Sequence, residues 1–201
     1  MKEYYYEKLL NINTKGKQSY QEKDFYHPYE PTPYRALEVL LEHVSINQDD
    51  CVVDFGCGKG RLNFYLHYFH HVNVTGVERD GNFYQQALDN LKNYKKVTKR
   101  NTEKVNFYNG IAEEYPISHQ DNLFYFFNPF SITIFIKVLN NILLSYEQYK
   151  RDISIVLYYP SKDYIFYLED NTILERKKEV IVPAYYEKDD SERFLIYGFP
   201  N

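Results

Sequence analysis

The chain has 201 residues, enough for one domain that buries about 70% of its unfolded surface without disulfide staples. With 44% hydrophobic residues, 26% charged residues and a formal net charge of -4, it reads as a globular domain rather than a surface built to track a phosphate backbone. No apolar run reaches the ~18 residues of a membrane span, and the first residues lack the apolar core of a signal peptide. The two cysteines, Cys51 and Cys57, flank one predicted strand, so reduced thiols and a cytoplasmic location are expected.

Residues 1–30 read as a tyrosine-rich arm with a short helix near 4–10, and one domain is expected over 31–201. Thr32 and Pro33 read as an N-cap and a first-turn proline. Leu37, Leu40, Leu41 and Val44 follow at helical spacing. Residues 51–55 are an unalternating apolar run, the pattern of a strand covered on both faces. The next helix carries Leu62, Tyr65, Leu66 and Phe69 on its buried stripe.

A strand at 72–77 leads to Glu78, and Asp80 caps a helix that buries Tyr84, Ala87, Leu88 and Leu91. That helix ends in Lys92, Lys95, Lys96, Lys99 and Arg100, a solvated basic end that suits the helix dipole. A strand at 105–108 turns at Asn109-Gly110, and a strand at 123–127 ends in Asn128-Pro129-Phe130. Ser131 caps a helix with Ile132, Phe135, Ile136, Leu139 and Leu143 inside, and a strand at 153–159 follows. Such β–α alternation forces a parallel sheet with helices on both faces. After Pro160 the pattern changes to a short helix at 161–168 and two strands at 173–182 and 193–199, read as an antiparallel pair closing one sheet edge.

In an open parallel sheet, ligands bind beyond the carboxyl ends of the strands. Asp54 with its glycines, Glu78, the 110–112 corner and Asn128-Pro129-Phe130 all stand at such ends, so they should converge on one cleft. Three ligands compete for the glycine loop. A dinucleotide wants G-x-G-x-x-G, whereas Gly56, Gly58 and Gly60 follow at two-residue spacing. A P-loop wants Ser or Thr after its lysine, whereas Lys59 is followed by Gly60. S-adenosylmethionine has no phosphate; its ammonium suits Asp54 and its carboxylate suits free backbone N–H groups. Glu78 fits the acid that accepts from ribose hydroxyls, although an acid also suits the start of a helix.

Val52-Val53-Asp54-Phe55-Gly56-Cys57-Gly58-Lys59-Gly60 and Gly76-Val77-Glu78 resemble motifs one and two of class I S-adenosylmethionine-dependent methyltransferases. The resemblance runs from about residue 30 to the end. It implies a three-layer, Rossmann-like, seven-stranded and mostly parallel sheet with an antiparallel strand at its C-terminal edge. Position by position, it implies that Asp54, Phe55, Gly56, Gly58 and Gly60 hold the methionine part and Glu78 the ribose. Ile111 and Ala112 would hold the adenine by packing and backbone groups, because Ile111 stands where many relatives carry Asp.

Asn128-Pro129-Phe130 resembles the Asn-Pro-Pro-Tyr/Phe loop of amino-methylating members, with one proline instead of two. Asn128 would orient an amino acceptor as the catalytic residue or touch the cofactor; Pro129 and Phe130 would line the acceptor site. Residues 54–61 and 126–130 also resemble a little-characterised group of small bacterial methyltransferases. The acceptor stays open, with a small molecule or protein favoured over nucleic acid. A sensor or scaffold that binds the cofactor without turnover is the alternative, and an NAD-dependent oxidoreductase the weaker one.

Tyr29 and Tyr34 precede the first strand, where the chain can fold over the cleft; packing within the arm is the first reading for both, and lining the acceptor site, with Tyr34 as a substrate contact, is the second. His27 and His119 have no partners at metal-ligand spacing, and His70-His71 ends a helix, so no metal site is expected. No separate general base is evident.

Overall fold

The computed structural model describes residues 2–16 and 25–200; the part of the expected arm at 17–24 lies outside them. The elements are α1 (Lys2–Leu10), α2 (Tyr34–His43), β1 (Cys51–Phe55), α3 (Arg61–His70), β2 (Asn73–Glu78), α4 (Gly81–Tyr94), β3 (Val105–Asn109), β4 (Leu123–Phe126), α5 (Ile132–Gln148), β5 (Ser154–Tyr158), α6 (Lys162–Asn171), β6 (Glu175–Ile181) and β7 (Arg193–Gly198). They build one seven-stranded sheet in the order β3-β2-β1-β4-β5-β7-β6. β1 to β5 are parallel, and β7 pairs antiparallel with both β5 and β6. The reversed strand β7 is thus inserted one place in from the edge, and β6 forms the edge with five of its seven residues in a row exposed.

The central strands are buried on both faces because each face has its own helical layer. Val52, Val74, Val105 and Tyr125 face the layer of α1 to α3 and the end of α4. Val53, Phe55, Phe124 and Phe126 face α5 and α6. Parallel register aligns Phe55 with Val77 and Phe126, which brings the carboxyl ends of β1, β2 and β4 to one rim.

Several helix faces differ from their periodicity for identifiable reasons. α2 starts at Tyr34 with Pro33 extended at its N-cap, and Thr32 Oγ1 instead shares a hydrogen bond with Tyr125 Oη (2.8 Å). The open N–H of Tyr34 is met by Glu3 Oε1 (3.0 Å), so α1 supplies the cap. Phe69 is 42% exposed, because α3 turns Phe64 and His67 inward instead. On α4, Leu88 and Leu91 are half-buried and Asn90 and Tyr94 are buried. Asn90 holds Asn13 N (2.8 Å) and the carbonyls of Asn13 and Lys59, a polar stitch that hydrophobic periodicity does not see. Ser131 stands at the N-cap of α5 without a side-chain bond. Ile132, Ile136 and Leu143 are half-buried while Ile134, Val138 and Ile142 take the core.

Candidate functional site

The site begins where β1 runs out. Gly56 N and Cys57 N both donate to Val77 O (2.9 and 3.1 Å), which folds the loop back over β2. Gly56 and Gly58 have φ of 78° and 54°, the left-handed region that favours glycine. They also have no room for more: a Cβ would come within 2.6 Å of Pro129 at Gly56 and 2.1 Å of the Tyr29 ring at Gly58. Gly60 lies against Phe107. Cys57 packs on Gly76, and burial with the Asp54 charge pushes its thiol up, so it packs rather than reacts.

Asp54 and Glu78 are the two carboxylates of the loop. Glu78 Oε2 accepts from Gly58 N (2.8 Å) and Oε1 from Asp80 N (2.7 Å), which ties β2 to the glycine turn. Burial pushes the Glu78 carboxyl up, against those hydrogen bonds. Asp54 is 4% exposed. Burial, and then the Glu78 charge, push its pKa up to about 8 from the ordinary 3.8. Asn63, with its carboxamide turned to satisfy both ends, donates to Asp54 Oδ2 (3.0 Å) and accepts from Gly76 N (3.1 Å), a brake on that rise.

A stability effect follows. The folded pKa lies above the unfolded one, so the folded state binds the extra proton. Its contribution is complete below about 3.8 and is lost as pH rises towards about 8. Denaturant unfolding of the ligand-free protein should therefore show a decline in stability from pH 5 to pH 8 that Asp54→Asn flattens. An unchanged slope in the variant would assign the decline elsewhere.

The remaining wall comes from the arm. Ser131 N donates to Phe25 O (2.7 Å), His27 N to Pro129 O (2.9 Å), and Tyr26 bridges antiparallel to Phe130. This short β-like pairing lays residues 25–32 across the strand ends. Tyr29 stacks near Phe83 (4.6 Å between centroids) and donates to Thr14 O (2.6 Å). Tyr26 donates to Glu113 (3.0 Å) beneath the Arg79 guanidinium. Together they enclose a cavity of about 260 Å³, walled by Asp54, Glu78, His27, Tyr29, Tyr125 and Pro129 among others.

Of the residues singled out in the sequence, Tyr29, Asp54, Gly56, Glu78 and Pro129 meet at this cavity. Phe55 lies in the core, stacked on Phe126. Gly58 is covered by Tyr29. Ile111 and Ala112 lie beyond β3 and outside the cavity wall, at the corner that Tyr26 reaches through Glu113. Asn128 has a left-handed φ of 40°, and its Oδ1 is buried with no partner among the described residues.

Two placements are corrected. Phe130 is 1% exposed, packs edge-on to Phe126, and its carbonyl accepts from Tyr164 Oη (2.5 Å), so it supports the loop from below and presents no ring to the cavity. Tyr34 is fully buried in α2, hydrogen-bonded to Glu7 (3.1 Å) and stacked on Tyr6, because Pro33 has already turned the chain inward. The cavity tyrosines are Tyr26, Tyr29 and Tyr125. His27, Arg61 and Phe83 also line it without having been singled out for it.

Among the described residues, no helix is long and apolar enough to cross a membrane, and no group of three or more His, Cys, Asp or Glu is arranged to hold a metal.

A model of the family described as tellurite resistance protein TehB matches residues 18–150, more than half of the chain. A protein-lysine N-methyltransferase from Saccharolobus islandicus (strain REY15A) is 33% identical over 82 residues, 40% of this chain and 51% of the relative. The chain therefore spans about half the length of that curated relative. An RNA methyltransferase from Salinibacter ruber, solved with S-adenosyl-L-homocysteine, superposes with a TM-score of 0.60 at 19% identity, covering 86% of this chain and 95% of that one. M. capricolum TrmK, solved with the same product, gives 0.56 at 15% identity over 86% and 70% of the two chains. Both likenesses are likenesses of fold.

Proposed function

The chain belongs to the TehB family and has the Rossmann-like fold of class I S-adenosylmethionine-dependent methyltransferases, and from that premise we propose that it transfers the methyl group of S-adenosylmethionine to an amino nitrogen. The observation that carries the cofactor is the pair of carboxylates, buried Asp54 and half-buried Glu78, on either side of a glycine loop where Cβ atoms do not fit. Bound there, the cofactor supplies a sulfonium-activated methyl group, so no metal is needed to make the electrophile.

The chain's own residues do the rest. Asp54, once ionised, holds the ammonium; Glu78 keeps lone pairs for the ribose hydroxyls beyond its two backbone donors. Ile111 and Ala112, at the corner beyond β3, are assigned to the adenine where it extends past the cavity wall. The arm excludes water, and a dry, preorganised cleft is what in-line displacement requires. Asn128, whose Oδ1 has no partner among the described residues, accepts from the incoming amine. The lysine acceptor named for the Saccharolobus relative supports a protein amine over nucleic acid. The unpaired Cys51 and Cys57 suit the reducing cytoplasm.

Calorimetric titration with S-adenosylhomocysteine and with NAD tests the cofactor: saturable binding of the first alone is expected, and NAD alone would overturn the reading. Asn128→Ala should lower methyl transfer about 10²-fold with S-adenosylhomocysteine affinity within about threefold. Binding without any transfer to protein, RNA or small-molecule fractions of a cell extract would instead indicate a sensor.

A further inference from the structure

We infer that His27 is the general base of the transfer, taking a proton from the acceptor nitrogen on its Nε2. The inference rests on the methyl-transfer reading above and adds a residue to it. His27 Nδ1 lies 2.6 Å from Asn128 O. A carbonyl oxygen only accepts, so the proton of the neutral ring sits on Nδ1 and the lone pair on Nε2. The backbone holds the ring there, because His27 N donates to Pro129 O (2.9 Å). His27 is part of the cavity wall, as are Asp54 and Pro129.

This arrangement changes what the Asn128-Pro129 loop offers an amine. Both of its carbonyls are already taken by His27, one by the ring and one by the main chain. What remains at the loop is Asn128 Oδ1, buried without a partner among the described residues, and the His27 ring itself. The tyrosine hydroxyls of the wall are engaged: Tyr26 with Glu113, Tyr29 with Thr14 O and Tyr125 with Thr32. Asp54 and Glu78 serve the cofactor.

An alkylammonium has no lone pair, so it must lose a proton before it attacks. That proton moves to Nε2. The nitrogen–carbon bond then forms as the carbon–sulfur bond breaks, and the electron pair of the broken bond stays on sulfur. The products are a methylammonium, the neutral thioether and an imidazolium, which returns its proton to water. A positioned histidine of this kind contributes about 10²- to 10⁴-fold in rate.

Three measurements on the full chain decide it. Long-range proton–nitrogen NMR of the ligand-free protein near pH 8 should show the His27 ring protonated at Nδ1; an Nε2-protonated ring overturns the inference without any activity being read. His27→Gln keeps a donor for Asn128 O and loses the base. With methyl-labelled S-adenosylmethionine and the protein fraction of a cell extract, it should transfer at least about 10²-fold more slowly, at unchanged S-adenosylhomocysteine affinity. His27→Ala should regain part of its rate with added imidazole. Wild-type transfer by His27→Gln, or loss in both variants with no imidazole rescue, leaves His27 holding the loop only and sinks the base role. A wild-type chain that neither binds S-adenosylhomocysteine nor transfers methyl overturns the methyl-transfer reading first, and this one with it.

Discussion

Arg61→Leu is expected to destabilise the fold by about 3–5 kcal/mol, because it leaves a buried carboxylate without its counter-charge. Arg61 is the residue after the last glycine of the loop and is only 5% exposed. Four of its five N–H groups are engaged. Nε donates to Thr14 Oγ1 (2.7 Å), one terminal nitrogen to Glu3 (2.6 Å) and Thr32 O (3.1 Å), and the other to Glu7 (3.3 Å). The guanidinium also stacks 4.4 Å from the Tyr34 ring centroid. Glu7, 6% exposed, collects Thr14 N (2.7 Å), Thr14 Oγ1 (2.5 Å) and Tyr34 Oη (3.1 Å). Leucine would leave that carboxylate buried among neutral donors.

For a chain of this length the loss corresponds to a fall in Tm of roughly 6–20 °C. Thermal and denaturant unfolding of Arg61→Leu, Glu7→Gln and the double variant measure it. The double variant should be more stable than Arg61→Leu alone, since it removes the stranded charge. Arg61→Lys should recover little, because an ammonium cannot serve four acceptors in one plane. Affinity for S-adenosylhomocysteine should fall in Arg61→Leu as well. Arg61 holds Thr32 O at the end of the segment over the cleft, and Thr14 anchors Tyr29. Strictly additive single-variant effects would mean that the two side chains act separately.

The parts of this site that are legible in the sequence are those set by local chemistry. β1 occupies the predicted 51–55, because an unalternating apolar run bounded by turns permits little else. Asp54, the glycines and Glu78 are contiguous with strand ends, so chain order alone brings them to one rim. The arm is different. Tyr26, His27 and Tyr29 have no period, and nothing local says that they pair with 128–131. Tyr29 and Tyr34 are five residues apart with two prolines between them. One lies on the glycine loop and the other inside the core. Hydrophobic periodicity ranks both alike, and only the Arg61–Glu7 cluster separates them. Phe130 differs from its expected place for a related reason: an aromatic after Asn-Pro suits an acceptor platform, but here the ring fills the layer of α5 and α6.

Gly58→Ala should destabilise the ligand-free protein by about 2–5 kcal/mol and lower S-adenosylhomocysteine affinity at least about tenfold. Two separable effects add. Left-handed backbone at φ 54° costs a residue with a Cβ about 1–2 kcal/mol. The new methyl would stand 2.1 Å from the Tyr29 ring, and overpacking of that kind costs about 1–3 kcal/mol. The ring cannot retreat freely, since it is pinned to Thr14 O at 2.6 Å and lies against Phe83. If instead the loop shifts, Gly58 N leaves Glu78 Oε2, and the carboxylate assigned to the ribose loses its support. Either response damages the cleft. Gly58→Ala with Tyr29→Ala separates the terms: the clash disappears and the backbone cost remains, so the double variant should be less damaged than additive losses predict. Gly81→Ala is the control, because a Cβ there meets nothing within 4 Å. At that position alanine should stabilise by about 0.4–1 kcal/mol, through the unfolded chain alone. Equal behaviour of the Gly58 and Gly81 variants in unfolding and in the S-adenosylhomocysteine titration would remove Tyr29 from the loop and, with it, the arm from the wall of the site.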